Sequence, residues 1–85
     1  MSISDQVLTL LADIAETDDV TQDLDMRLYD EHILDSLKTV ELILAFSEAF
    51  AIEIPLAAFE PEQWATPRKI VGYVLRAVTP NARSM

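Results

Sequence analysis

The chain has 85 residues, of which 51% are hydrophobic and 25% charged, with a formal net charge of −9 and no cysteine. One small domain fits this length and a deep cavity framed by two layers does not, while the apolar share excludes a disordered chain. The absence of cysteine excludes disulfides and thiolate zinc sites, and the negative field opposes nucleic acid and anionic lipid, so a basic protein partner is expected.

The charge is uneven. Residues 1–34 hold nine acids against Arg27, whereas residues 65–85 hold Arg68, Lys69, Arg76 and Arg83 with no acid. A solvated acidic surface is the plain alternative to a binding face. The longest apolar run is too short to span a bilayer, and Met1-Ser2-Ile3-Ser4-Asp5 lacks a secretory pattern, so a cytoplasmic protein without direct membrane insertion is expected.

In chain order, Ser4 is the expected cap of a first helix in which Val7, Leu8, Leu11, Ile14 and Ala15 recur at helical spacing. It is expected to end near Glu16 or Thr17. Residues 18–34 read as a long loop pinned by Val20, Leu24, Met26 and Leu28, with a strand as the alternative. A lone strand has no ladder partner, and Ile52-Glu53-Ile54 is short and stopped by Pro55.

A second helix is expected over Ser36 to Phe50, from the spacing of Leu37, Val40, Ile43, Leu44, Phe46 and Phe50. Its apolar stripe is broad, and Leu37 and Val40 can face either the core or a partner. A short helical segment is expected around Ala57–Trp64, with Trp64 assigned to the core. The last helix opens with Thr66 as cap and Pro67 at its first position, then places Ile70, Val71, Val74, Leu75 and Val78 on one face before Pro80 stops it. The expected organisation is one domain over residues 1–79 and a flexible tail over 80–85.

Ser36 stands at the mouth of the second helix. By residue type alone it is a helix cap, a role worth about 1 kcal/mol; if Asp35 caps instead, the Ser36 hydroxyl sits in the first turn directed outward. His32 and Ser36, with Asp30 or Asp35, form an alternative base and nucleophile arrangement, but a chain this short offers no clear oxyanion site or substrate pocket. Asp30, Glu31, His32 and Asp35 match no recognised ion-binding spacing, and no metal site is assigned. Glu41 and Glu48 lie seven residues apart, on one side of the helix.

The block Leu34-Asp35-Ser36-Leu37-Lys38-Thr39-Val40-Glu41-Leu42 resembles the phosphopantetheine attachment motif of acyl and peptidyl carrier proteins. The order of loop, helix, short acidic segment and last helix from Leu24 through Val78 looks like the same domain. Phe59-Glu60-Pro61-Glu62-Gln63-Trp64-Ala65-Thr66-Pro67 is closer to the D-alanyl carriers of teichoic acid modification than to fatty-acid carriers. Lys38 departs from the pattern, where fatty-acid carriers usually have an acid and D-alanyl carriers a glycine.

The resemblance implies an all-α acyl-carrier-protein-like bundle of three main helices plus one short helix, with a long loop between the first two. It implies a monomeric, non-catalytic carrier with 4′-phosphopantetheine covalently attached to Ser36, holding an acyl group as a thioester. The implied cargo is an amino acid such as D-alanine, bound for a cell-wall or lipid-linked acceptor. The implied partners are a phosphopantetheinyl transferase, an adenylating amino-acid ligase and an acyltransferase, which can be membrane-bound, meeting Asp35, Leu37, Val40, Glu41 and Glu48. Two alternatives stand beside this: an acyl carrier for fatty-acid or polyketide synthesis, and an unmodified helical adaptor that binds a basic protein.

Overall fold

The computed structural model describes residues 2–55 and 59–78, and these form four α-helices and one 3₁₀ turn with no strand among them. Helix α1 spans Ile3–Ala15, α2 Asp19–Gln22, α3 Ser36–Phe50 and α4 Pro67–Val78, with the 3₁₀ turn at Pro61–Trp64. The expected all-α carrier-like bundle is therefore observed.

Two boundaries differ from expectation. Ser2, not Ser4, caps α1, accepting the Asp5 N–H at 3.1 Å. Two serines two residues apart offer competing caps; the earlier one adds the residues that let Ile3 pack against the core. The loop also contains the single turn α2, which buries Val20. The short segment expected around Ala57–Trp64 is the 3₁₀ turn, while residues 57 and 58, Pro80 and the expected tail fall outside the described residues.

The loop satisfies its backbone without a ladder, which is why the alternating apolar residues there do not make a strand. Leu28 N–H donates to the Ala65 carbonyl and Arg68 N–H to the Leu24 carbonyl, each at 2.9 Å, so the loop is tied to the start of α4. The Leu28 carbonyl in turn accepts from Ile33 and Leu34 N–H. Val20, Leu28 and Leu34 are buried under these bonds. Arg68 grips Asp25 through two hydrogen bonds at 2.9 and 3.2 Å, holding the Asp25 carboxyl below its usual range. This pair lies in solvent, so it fixes position more than it adds stability.

The core is the shared face of the helices. Val7, Leu11 and Ala15 of α1 meet Leu42, Ile43 and Phe46 of α3 and Ile70 and Val74 of α4. At its centre Trp64 is fully buried, with Phe46, Phe59 and Tyr73 edge-on at ring-centroid distances of 5.6, 4.9 and 5.7 Å. T-shaped contacts of this kind favour the ring quadrupoles. The last helix starts as expected, with Thr66 Oγ1 accepting the Lys69 N–H at 3.2 Å.

Leu44 and Leu75 leave the expected core stripes for solvent, Leu44 being 61% exposed. The buried set of α3 is Thr39, Leu42, Ile43 and Phe46. These follow a three- and four-residue rhythm of their own, one step out of phase with the series Leu37, Val40 and Leu44. Helix α3 thus has two apolar stripes, and only one faces inward.

Thr39 is the one buried polar residue among those described. Its hydroxyl donates to the Asp35 carbonyl at 2.8 Å, which uses its only proton, so the Tyr29 hydroxyl donates to Thr39 Oγ1. Burial, with the nearby Asp35 carboxylate, pushes the Tyr29 phenol above its ordinary value of 10.0. The folded chain then keeps this proton after the unfolded chain has lost it. The resulting stability is complete below the ordinary value and is lost as pH rises through the folded one. Tyr29→Phe is expected to cost about 1 kcal/mol near neutrality, which lowers Tm by about 4–8 °C in a domain of this size. The gap between wild type and variant should narrow above pH 10, as read by urea denaturation across a pH series.

Candidate functional site

Asp35 is the cap of α3, in extended backbone, and its Oδ1 accepts the Lys38 N–H at 2.9 Å. The first N–H groups of any helix lack an intrahelical acceptor. Asp35 takes one of them, and those of Ser36 and Leu37 remain at the entrance beside the positive end of the helix dipole. Ser36 is relieved of the capping role. It occupies the first helical position, is exposed, and its hydroxyl has no hydrogen-bond partner among the described residues.

Lys38, the residue that departs from the carrier pattern, faces away from this entrance. Its Nζ donates to the Ile14 carbonyl at 3.2 Å and pairs with Glu16 at 3.7 Å. A cation is favoured at the carbonyl end of a helix, so Lys38 stitches the first turn of α3 to the last turn of α1. With Thr39 holding Tyr29 on the other side, the residues flanking Ser36 are anchored to both the loop and α1.

The remaining sequence-predicted residues lie along the outside of α3. Leu37 is 68% exposed, Val40 borders on exposure, and Glu41 and Glu48 are exposed with no ion pair among the described residues. Leu44 extends the apolar series by one turn, giving Leu37, Val40 and Leu44 edged by the two acids. In the sequence Leu44 belongs to one broad apolar stripe; the signal that separates it from the core is the second register of Leu42 and Phe46, which only one inward stripe can satisfy. A groove of about 450 Å³ opens beside Ser36 and is lined by Tyr29, Asp35, Thr39, Val40, Phe59 and Pro61.

The alternative chemistries find no support in this geometry. His32 is exposed in left-handed backbone at φ 61°, and Asp30 is engaged with Arg27 at 3.5 Å. No group of three His, Cys, Asp or Glu side chains that could hold a metal ion gathers among the described residues. No helix among them is long and apolar enough to cross a membrane.

An unbonded hydroxyl, reachable from solvent on a rigid helix entrance and bordered by an open groove, fits the attachment of a long prosthetic arm. The phosphopantetheine attachment site family model matches residues 5–74. The D-alanyl carrier protein of Listeria monocytogenes serotype 4a (strain HCC23) is 39% identical over 71 residues, covering 84% of this chain and 91% of that protein. That of Lacticaseibacillus casei (strain BL23) is 41% identical over 76 residues, covering 89% and 94%. That of Enterococcus faecalis (strain ATCC 700802 / V583) is 39% identical over 74 residues, covering 87% and 95%. The chain therefore belongs to the phosphopantetheine attachment family, with 4′-phosphopantetheine as its covalently held group.

Proposed function

We propose that the chain is a cytoplasmic D-alanyl carrier whose prosthetic arm is attached to Ser36 Oγ. The observation that carries this reading is the division of labour at the α3 entrance: Asp35 caps, and the Ser36 hydroxyl is left exposed and unbonded. When bound, the group supplies a flexible arm whose terminal thiol holds an acyl cargo as a thioester. The chain's own residues position and present it. Tyr29, Thr39 and Lys38 fix the entrance from two sides, and the Asp35 cap keeps the first turn from fraying.

D-Alanine as cargo is supported by the relatives, all three of which are named D-alanyl carrier proteins. It is supported as well by charge. The Asp35 carboxylate lines the groove beside Ser36, and the exposed Glu41 follows five residues after Ser36, outside the groove lining, a field that suits the ammonium of an aminoacyl group. A fatty-acyl cargo gains nothing from those acids. The partners that follow are a phosphopantetheinyl transferase, an adenylating ligase and an acyltransferase, which meet Leu37, Val40 and Leu44 as an apolar strip and Glu41 and Glu48 as its charged rim. The carrier itself is a non-catalytic monomer, and the carrier domain is assigned to residues 1–79.

Incubation with coenzyme A, magnesium and a broad-specificity phosphopantetheinyl transferase is expected to add one phosphopantetheine to the intact mass. Ser36→Ala should abolish the addition while leaving helix content unchanged; persistence of the added mass in that variant would remove Ser36 from its role. Glu41→Lys combined with Glu48→Lys should slow D-alanine loading by the adenylating ligase, most strongly at low salt, because rim charges act on encounter rate. Stability should move by no more than about 0.5 kcal/mol per exposed site. Equal loading rates at low salt would put the recognition surface elsewhere.

A further inference from the structure

Phe59 belongs to two environments at once. Its ring lines the groove that opens at Ser36, and it also packs edge-on against Trp64 at 4.9 Å. Trp64 is fully buried, and its other ring neighbours are Phe46 and Tyr73. The indole N–H of Trp64 is buried and finds no hydrogen-bond acceptor among the described residues. The solvent-facing groove and the aromatic core are thus neighbouring spaces with the Phe59 ring between them.

We propose that Phe59 is a specificity-determining residue, a partition that confines the cargo to the groove and bars an alkyl chain from the core. This rests on the reading of Ser36 as the attachment point. An alkyl chain gains with every methylene it buries, so a route from the groove to Trp64 would favour a fatty cargo and fold it away from a transferase. An alanyl group carries an ammonium that loses its water on entering the apolar core, which is unfavourable, so it stays in the groove whether or not the partition is present. Phe59 therefore discriminates against the fatty competitor without touching the amino acid, which is selection by exclusion.

The only tryptophan in the chain is Trp64, which makes it an unambiguous reporter. The holo forms of wild type, Phe59→Ala and Phe59→Leu would be loaded with alanyl and octanoyl groups, after intact mass has confirmed the arm on each. The Trp64 indole resonance, its hydrogen exchange and the cleavage rate of the thioester by hydroxylamine would then be read. In wild type, the octanoyl and alanyl forms should give the same indole resonance. In Phe59→Ala the octanoyl group should shift it, and exclusion of water should slow thioester cleavage by roughly threefold or more, with no change for the alanyl form. Indole exchange in unloaded Phe59→Ala should rise about tenfold through local opening. Phe59→Leu, which keeps an apolar side chain, should fold if the alanine variant does not, and should show the same changes at smaller size.

An octanoyl group that shifts the indole resonance of wild type as far as that of the variants would overturn the partition. So would folded variants in which octanoyl and alanyl forms remain alike. Either result leaves the Ser36 assignment standing; failure of the arm to attach at the first step would instead remove that assignment.

Discussion

The hydrogen bond from Lys38 N–H to the Asp35 carboxylate is the interaction on which the arrangement of the site depends. Because Asp35 supplies the cap, worth about 1 kcal/mol, the neighbouring serine is spared that duty. The same residue's carbonyl receives the Thr39 hydroxyl, which in turn receives Tyr29, so one residue closes the helix entrance from its side chain and binds the loop through its backbone. Lys38 then reaches the carbonyl end of α1. An exposed hydroxyl, that of Ser36, is thereby displayed on an anchored helix entrance within a chain that has little core to spend on rigidity.

The rest of the fold serves that entrance by keeping the inside of α3 dry and its outside available. Leu42 and Phe46 commit one stripe to the aromatic cluster around Trp64, and Leu37, Val40 and Leu44 are left uncovered on the other. Exposed apolar residues on a small acidic protein carry a cost in solubility unless a partner covers them. The charge of Glu41 and Glu48 beside them offsets that cost and, in the proposed function, would give the same surface an electrostatic address.

Much of this was legible in the sequence because the signals are local. Thr66-Pro67 announces the last helix, the period of Val7, Leu11 and Ala15 the first, and the spacing of Asp35, Ser36 and Leu37 the position of the serine. What was not legible depends on contacts between distant segments. Ser2 and Ser4 are equivalent as caps until the burial of Ile3 decides between them. Leu42 and Leu44 are equally apolar, and their fates separate only when α1 packs on α3. The purpose of Lys38 lies twenty-four residues away, at Ile14. Tyr29 looks like one more loop residue until Thr39 is placed beneath it, and Phe59 becomes a dividing ring only when both the groove and Trp64 are in place.

The capped entrance of α3 is proposed to leave Ser36 ready for the prosthetic arm. Tandem mass spectrometry of proteolytic fragments from the modified wild-type protein tests it most directly, through the characteristic ejection of the pantetheine group. The group should reside on Ser36 alone. Its location on Ser47, in the last turn of α3 and partly buried, or on Ser2, the cap of α1, would contradict it.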